Sequence, residues 1–219
     1  LPGISIATRE RILTTAQQLG YRPSGIARGL ANAGQRTRTF GVVVPTIDNE
    51  FYAAVLHGIE DLTSARDYHV FLVDTNEDPA TEYRRIQSLF SLWIDGLIIC
   101  SSRMEDQQLA EICSQLRPVI LLNREFIHPH AGNVLIDDAE GTESAVRHLV
   151  ECGHKRIGMI LGMPVSRSSE NRRQGYLRAM RQAGLPVEPG WMLHTGAQLD
   201  AAYTAGKPYL QANPELTAL

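Results

Sequence analysis

The residues of this 219-residue chain that could do chemistry are few, and most point to binding. His128-Pro129-His130 sets two imidazoles close together, as a metal pair would, but no third ligand follows at useful spacing. An exposed loop is the simpler reading, and no metal site is expected. No Gly-x-Ser-x-Gly elbow, phosphate loop or dinucleotide fingerprint is present, so neither an enzyme nor a bound cofactor is expected. Asp48 and Asn49 offer acceptors and donors suited to sugar hydroxyls. Phe51 and Tyr52 follow closely, and burial at the start of a helix would account for one of them. Asp137 is placed to cap a following helix, and its neighbour Asp138 is open to either a structural or a binding role. Arg172 opens Arg-Arg-Gln-Gly-Tyr. Its guanidinium can fork onto two oxygens as lysine cannot, although an arginine early on a helix can equally be a solvated charge.

The elements that must position these residues follow from periodicity. Short β-branched runs at 39–44, 69–73, 96–100, 118–122, 133–136 and 156–161 alternate with helical stretches near 50–66, 80–93, 105–115, 139–152 and 170–183. Strands that are apolar on both faces and separated by helices require a parallel sheet covered on each side. Ligands bind such sheets at the carboxyl ends of the strands, in loops 45–50, 74–79, 101–104, 123–132 and 162–169. Upstream, Thr8 is a candidate N-cap for a helix running to about Leu19, with Gly20 as its stop. Ser24 could cap a second short helix to about Ala33, and 32–38 reads as a linker. The last residues, 216–219, resemble the start of another buried strand, and the chain begins with Leu1, so an incomplete second lobe and a missing upstream segment are expected.

Net charge is −3, unremarkable by itself, but its distribution is uneven. Residues 1–38 carry six arginines against one acid, a balance of +5 that leaves −8 for the rest. A basic arm on an acidic body suits a phosphate backbone, or is a solvated terminus. Three cysteines without close spacing suit a reducing cytosol rather than a disulfide framework. No apolar run is long enough to cross a bilayer, and no secretion signal is recognisable.

Three stretches together are similar to one family. Thr8-Arg9-Glu10-Arg11-Ile12, Leu19-Gly20-Tyr21-Arg22-Pro23 and Ile26-Ala27-Arg28-Gly29-Leu30 resemble the end of the headpiece and the hinge helix of the lac repressor family. Phe40-Gly41-Val42-Val43-Val44-Pro45 with Asn49-Glu50-Phe51-Tyr52 resembles the opening of its effector domain. Gly153-His154-Lys155-Arg156-Ile157 followed by Arg172-Arg173-Gln174-Gly175-Tyr176 resembles a later part. The resemblance implies an α/β fold of two periplasmic-binding-protein-like lobes with doubly wound parallel sheets. A partial helical DNA-binding headpiece and hinge helix would precede them. The implied divisions are 1–38 for the arm, 39–155 for the first lobe, six-stranded by this reading, and 156–219 for the start of the second.

It further implies a transcriptional regulator, a repressor by default, whose operator affinity is set by a sugar-like effector bound between the lobes. The implied effector contacts are Asp48, Asn49, Phe51, Tyr52, Arg124, Asp138, Ser168 and Arg172. The implied hinge contacts with DNA are Arg22, Ser24, Ala27, Arg28 and Leu30. Leu30 would be the wedge that unstacks a minor-groove step, and Gly25 and Gly29 would keep the hinge helix weak until operator is bound. The remaining partners implied are a second copy of the chain, as dimer or tetramer, and the setting is the bacterial cytoplasm and nucleoid, with no membrane. A periplasmic sugar-binding protein is the rival on the same fold, which the basic arm argues against; an enzyme on a doubly wound sheet is a more distant one.

Overall fold

A computed structural model describes residues 5–21, 37–116, 118–196 and 198–219. The expected hinge helix and its residues Arg22, Ser24, Ala27, Arg28 and Leu30 lie outside the described residues. Residues 1–38 and 39–219 form two separate units.

In the first unit, helix α1 (Ile6–Gln18) begins one turn earlier than the sequence suggested. Ser5, not Thr8, is the cap: its hydroxyl accepts the Thr8 N–H at 3.2 Å and meets the Thr8 hydroxyl at 2.9 Å. Thr8 therefore sits three residues in, where a cap's backbone partner belongs. The stop is as expected. Gly20 has φ +65 and Tyr21 N–H reaches back to Ala16 O at 2.8 Å, the closing bond of a left-handed helix terminus.

The second unit opens with β1 (Thr39–Val44), α2 (Glu50–Ser64), β2 (His69–Asp74), α3 (Pro79–Phe90), β3 (Gly96–Cys100), α4 (Asp106–Gln115), β4 (Val119–Leu122) and β5 (Ala131–Val134). The five strands are parallel in the order β2-β1-β3-β4-β5. The chain leaves β1 to one side for β2 and returns past it to β3, so a topological switch lies at the carboxyl end of β1. The strand alternation assigns the two faces. Val43, Leu97, Ile99, Val119 and Leu121 pack with Ile86 and Leu89 of α3 and Leu109 and Ile112 of α4. Val42, Val44 and Cys100 pack on the other face with Tyr52, Val55, Leu56 and Ile59 of α2.

Five strands, not six, make this sheet. The sixth run becomes β6 (Met159–Leu161), which pairs with β7 (Met192–His194) in a separate parallel sheet. β5 also starts two residues earlier than its apolarity suggested. Its register is set by β4, pairing Val119 with Ala131 and Leu122 with Val134, and Leu135 and Ile136 run on as half-exposed loop.

Around the smaller sheet lie α5 (Asp138–Glu151), α6 (Arg167–Gln182) and α7 (Leu199–Ala212), with a 3-10 turn at Pro189–Trp191. Val146 of α5 joins Ile157, Tyr176, Met180 and Trp191 in this second core. By packing, α5 thus belongs with the second sheet, on the far side of the division the sequence suggested after residue 155. The expected strand at 216–219 is a single parallel bridge, Ile157 to Ala218, with Leu216 and Ala218 packed against the second core. No helix among the described residues is long and apolar enough to cross a membrane.

Candidate functional site

The carboxyl ends of strands from both sheets open onto one cavity of about 520 Å³, within the range of small-molecule sites. The first sheet supplies Asn49 after β1, Glu77 after β2, Arg103 after β3, Asn123 after β4 and Asp138 after β5. The second supplies Gly162, Met163, Ser166, Ser168 and Ser169 after β6 and Thr195 after β7.

Asn49 is the N-cap of α2, its side-chain oxygen accepting Phe51 N–H at 2.9 Å. This fixes the aromatic pair behind it. Tyr52 is buried at 6% exposure while Phe51 is 38% exposed, and the rings meet edge to face at 5.2 Å. Burial raises the Tyr52 phenol above its ordinary pKa. The expectation that one of the two rings is buried at the helix start fits Tyr52, and both rings line the cavity.

The loop ends share an unusual backbone. Asn76, Glu77, Ser101 and Asn123 all have φ between +46 and +59, although none is glycine. Such conformations are strained for L-residues, roughly 1–2 kcal/mol each, and cluster where geometry is held for function. Here they aim a buried pair: Arg103 Nε donates to Glu77 Oε2 at 2.7 Å, with both side chains 7% exposed. Arg103 Nη1 donates to Ser101 O at 2.9 Å, and its backbone N–H donates to the buried Glu82 at 2.9 Å. Burial raises the Glu82 carboxyl pKa.

The second sheet's contribution comes from helix starts. Ser166 caps α6, and Ser166, Ser168 and Ser169 are all buried on its first turn. Asn123 Nδ2 donates to Ser168 Oγ at 2.6 Å, tying the end of β4 to α6. One turn further along α6, Arg172 lays Nε and Nη2 against Asp138 Oδ1, each at 2.8 Å. Gly175 makes this possible. A Cβ there would collide with the Ala139 carbonyl oxygen, so only glycine lets α6 approach the start of α5 so closely. Tyr176 anchors the next position, fully buried with its hydroxyl on Ile157 O at 2.8 Å.

Six of the eight sequence-derived candidates therefore line the cavity: Asn49, Phe51, Tyr52, Asp138, Ser168 and Arg172. Asp137 caps α5 as expected, accepting Glu140 N–H at 2.9 Å. Two candidates are elsewhere. Asp48 is exposed, its backbone N–H turned in to the Thr46 hydroxyl, because the loop points its side chain to solvent. Arg124 is buried but faces an adjoining crevice, where it pairs with Asp106 at 2.5 Å. Glu77, Arg103, Asn123 and Thr195 escaped the sequence reading. The only signal for the first three was their place at strand ends.

Among the described residues the lining offers hydroxyls, amides, an aromatic edge, two guanidiniums and two carboxylates, groups suited to recognising a polar ligand. Among the described residues no cluster of His, Cys, Asp or Glu could hold a metal ion.

Comparison with known proteins identifies the fold and the family. Catabolite control protein A of Priestia megaterium is 29% identical over the whole chain, which spans 65% of that relative's length. The structure of a LacI family transcriptional regulator from Mycobacterium smegmatis is 26% identical with a TM-score of 0.66, over 80% of this chain and 62% of that one. A transcriptional regulator CelR–cellobiose complex is 25% identical with a TM-score of 0.71, over 98% of this chain and 64% of the other. These relatives are named as regulators, not as enzymes. The family model described as periplasmic binding proteins and sugar binding domain of LacI family matches residues 37–219, and the chain belongs to that family.

Proposed function

We propose that this chain is part of a transcriptional repressor whose grip on operator DNA is set by a sugar or sugar derivative bound in the strand-end cavity. The observation that carries the reading is the convergence of polar strand ends from two sheets on a ligand-sized space, in a chain of the LacI family. Asn49, Asn123, Ser168, Asp138 and Arg172 contact hydroxyls, and Phe51 offers a ring face to the apolar side of a sugar. Asp138 occupies the Nε side of Arg172. The ligand therefore takes the outer Nη edge.

The protein acts in the cytoplasm as a homodimer, which sets two headpieces at half-site spacing. The hinge places Leu30 in the minor groove, with Arg22, Ser24, Ala27 and Arg28 near phosphates. The ligand touches both sheets, so binding changes their relative angle and is coupled to DNA reciprocally.

The deciding experiment measures operator binding by the full protein with and without a panel of sugars, at fixed salt. A sugar that shifts operator affinity, and binds with matching opposite preference to the free and DNA-bound protein, supports the reading. Sequence-independent binding that no sugar alters refutes it. Leu30→Ala should weaken operator binding more than binding to random DNA.

A further inference from the structure

The cavity wall is electrically balanced. Its charged residues, among those described, are Glu77, Arg103, Asp138 and Arg172. Each cation already has its own carboxylate: Arg103 meets Glu77 at 2.7 Å and Arg172 meets Asp138 at 2.8 Å. The other polar groups on the wall are neutral hydroxyls and amides. The wall therefore has no net formal charge.

An anion entering this space would give up water and find no uncompensated cation to replace it. A neutral polyol meets what it needs. The outer edge of Arg172 donates, and two buried oxygens, Asp138 Oδ2 and Thr195 Oγ1, have no hydrogen-bond partner within the structure. Buried polar atoms of this kind call for a partner, from solvent or ligand.

The balance is also built, not incidental. Glu77 is held inward by two successive left-handed residues, Asn76 at φ +51 and Glu77 itself at φ +59. Its N–H donates to Pro45 O at 2.8 Å, which locks the loop against the end of β1.

We infer that the cavity selects an uncharged polyhydroxylated ligand, and that Glu77 is the residue that enforces the selection, by cancelling Arg103. Sugar phosphates and sugar acids are rejected. The inference rests on the effector reading above, and adds to it the charge class of the ligand and the determinant of that class.

Calorimetric titration of the full protein with matched compounds tests it: D-ribose against ribose 5-phosphate, D-glucose against glucose 6-phosphate and gluconate, and cellobiose. A neutral member should bind, and its charged counterpart should bind at least about tenfold more weakly. Glu77→Gln keeps an amide oxygen facing Arg103 but removes the charge. It should close that gap by about tenfold or more, read as the ratio of the two affinities in the same variant. A merely structural pair would lower stability and leave the ratio alone. A charged compound that binds wild type as tightly as its neutral partner overturns the charge rule. An unchanged ratio in folded Glu77→Gln overturns the assignment to Glu77. Should that variant not fold, the wild-type ratio decides the charge rule, and Glu77→Asp, with its charge intact, must keep the preference. Charged compounds that bind in preference and shift operator affinity defeat only the charge rule; binding of nothing in the panel defeats the effector reading as well.

Discussion

The two sides of the cavity hold an arginine–carboxylate pair each, and hold it differently. On the first-sheet side, Glu77 and Arg103 are both 7% exposed and are aimed by loops in left-handed conformations. On the second-sheet side, Asp138 is 3% exposed but Arg172 is 52% exposed, and they stand on the first turn of α5 and the second turn of α6. The first pair is enclosed on strained loops and costs energy to keep. The second is half open, and its precision comes from the close helix contact at Gly175. Buried pairs fix geometry, whereas exposed ends can exchange water for ligand. Recognition here combines a preformed wall with an accessible hand.

The largest expected effect would break the first side. Arg103→Met leaves Glu77 buried without its cation, and should cost about 4 kcal/mol of folding stability by chemical denaturation. The equivalent Arg172→Met should cost about 1 kcal/mol, because water replaces a half-exposed guanidinium. Equal losses would erase the distinction between the two sides.

Next, Gly175→Ala should destabilise by about 3 kcal/mol, since its methyl group must push α6 off the Ala139 carbonyl. Thermal melts would show it, and effector affinity should fall with it. An unchanged melting temperature would mean the helix spacing is not what sets the second pair.

Arg172→Lys sharpens the comparison without touching the core. A point charge cannot both lie along Asp138 and fork onto a ligand, so effector affinity should fall by about 2 kcal/mol, roughly 30-fold, by calorimetry. Unchanged affinity in a folded variant would return Arg172 to a solvated charge.

The smallest effect lies just outside the cavity. Hydrogen bonds from Arg173 and then Gln174 depress the Glu170 carboxyl to about 2, from 4.5. A depressed carboxylate stabilises the fold above its unfolded pKa and loses that contribution as pH falls through its folded one. Because the pair is solvent-exposed, Glu170→Gln should cost less than about 1 kcal/mol at pH 7. Wild type and variant should converge as pH is lowered from 4.5 toward 2, which paired melts across that range would record.

Much of the fold was readable because its signals are local. Val42, Val43 and Val44 announce a strand buried on both faces, and Asp137 announces a helix start, whatever lies elsewhere in the chain. β7 and α7 were not readable. Three residues, Met192–His194, are too few to show a period, and Gly206 and Pro208 inside Leu199–Ala212 read as breakers although the helix continues through both. The family pattern pointed to Asn49, Ser168 and Arg172, which line the cavity, and to Asp48 and Arg124, which do not. It fixes a position along the chain but not the direction of a side chain.

By itself, then, the sequence determined that parallel strands alternate with helices, and that their carboxyl ends carry the polar groups. Those properties depend on neighbours within a turn or a strand. Only the tertiary structure decided that five strands close one sheet and two another, and that α5 joins the second core. It alone decided that Glu77 meets Arg103 and that Asp138 meets Arg172 across 34 residues. These are pairings between distant segments. They arise from sheet order, a few left-handed backbone residues and the missing Cβ of Gly175, and no local run of residues encodes which distant partner a charge will find.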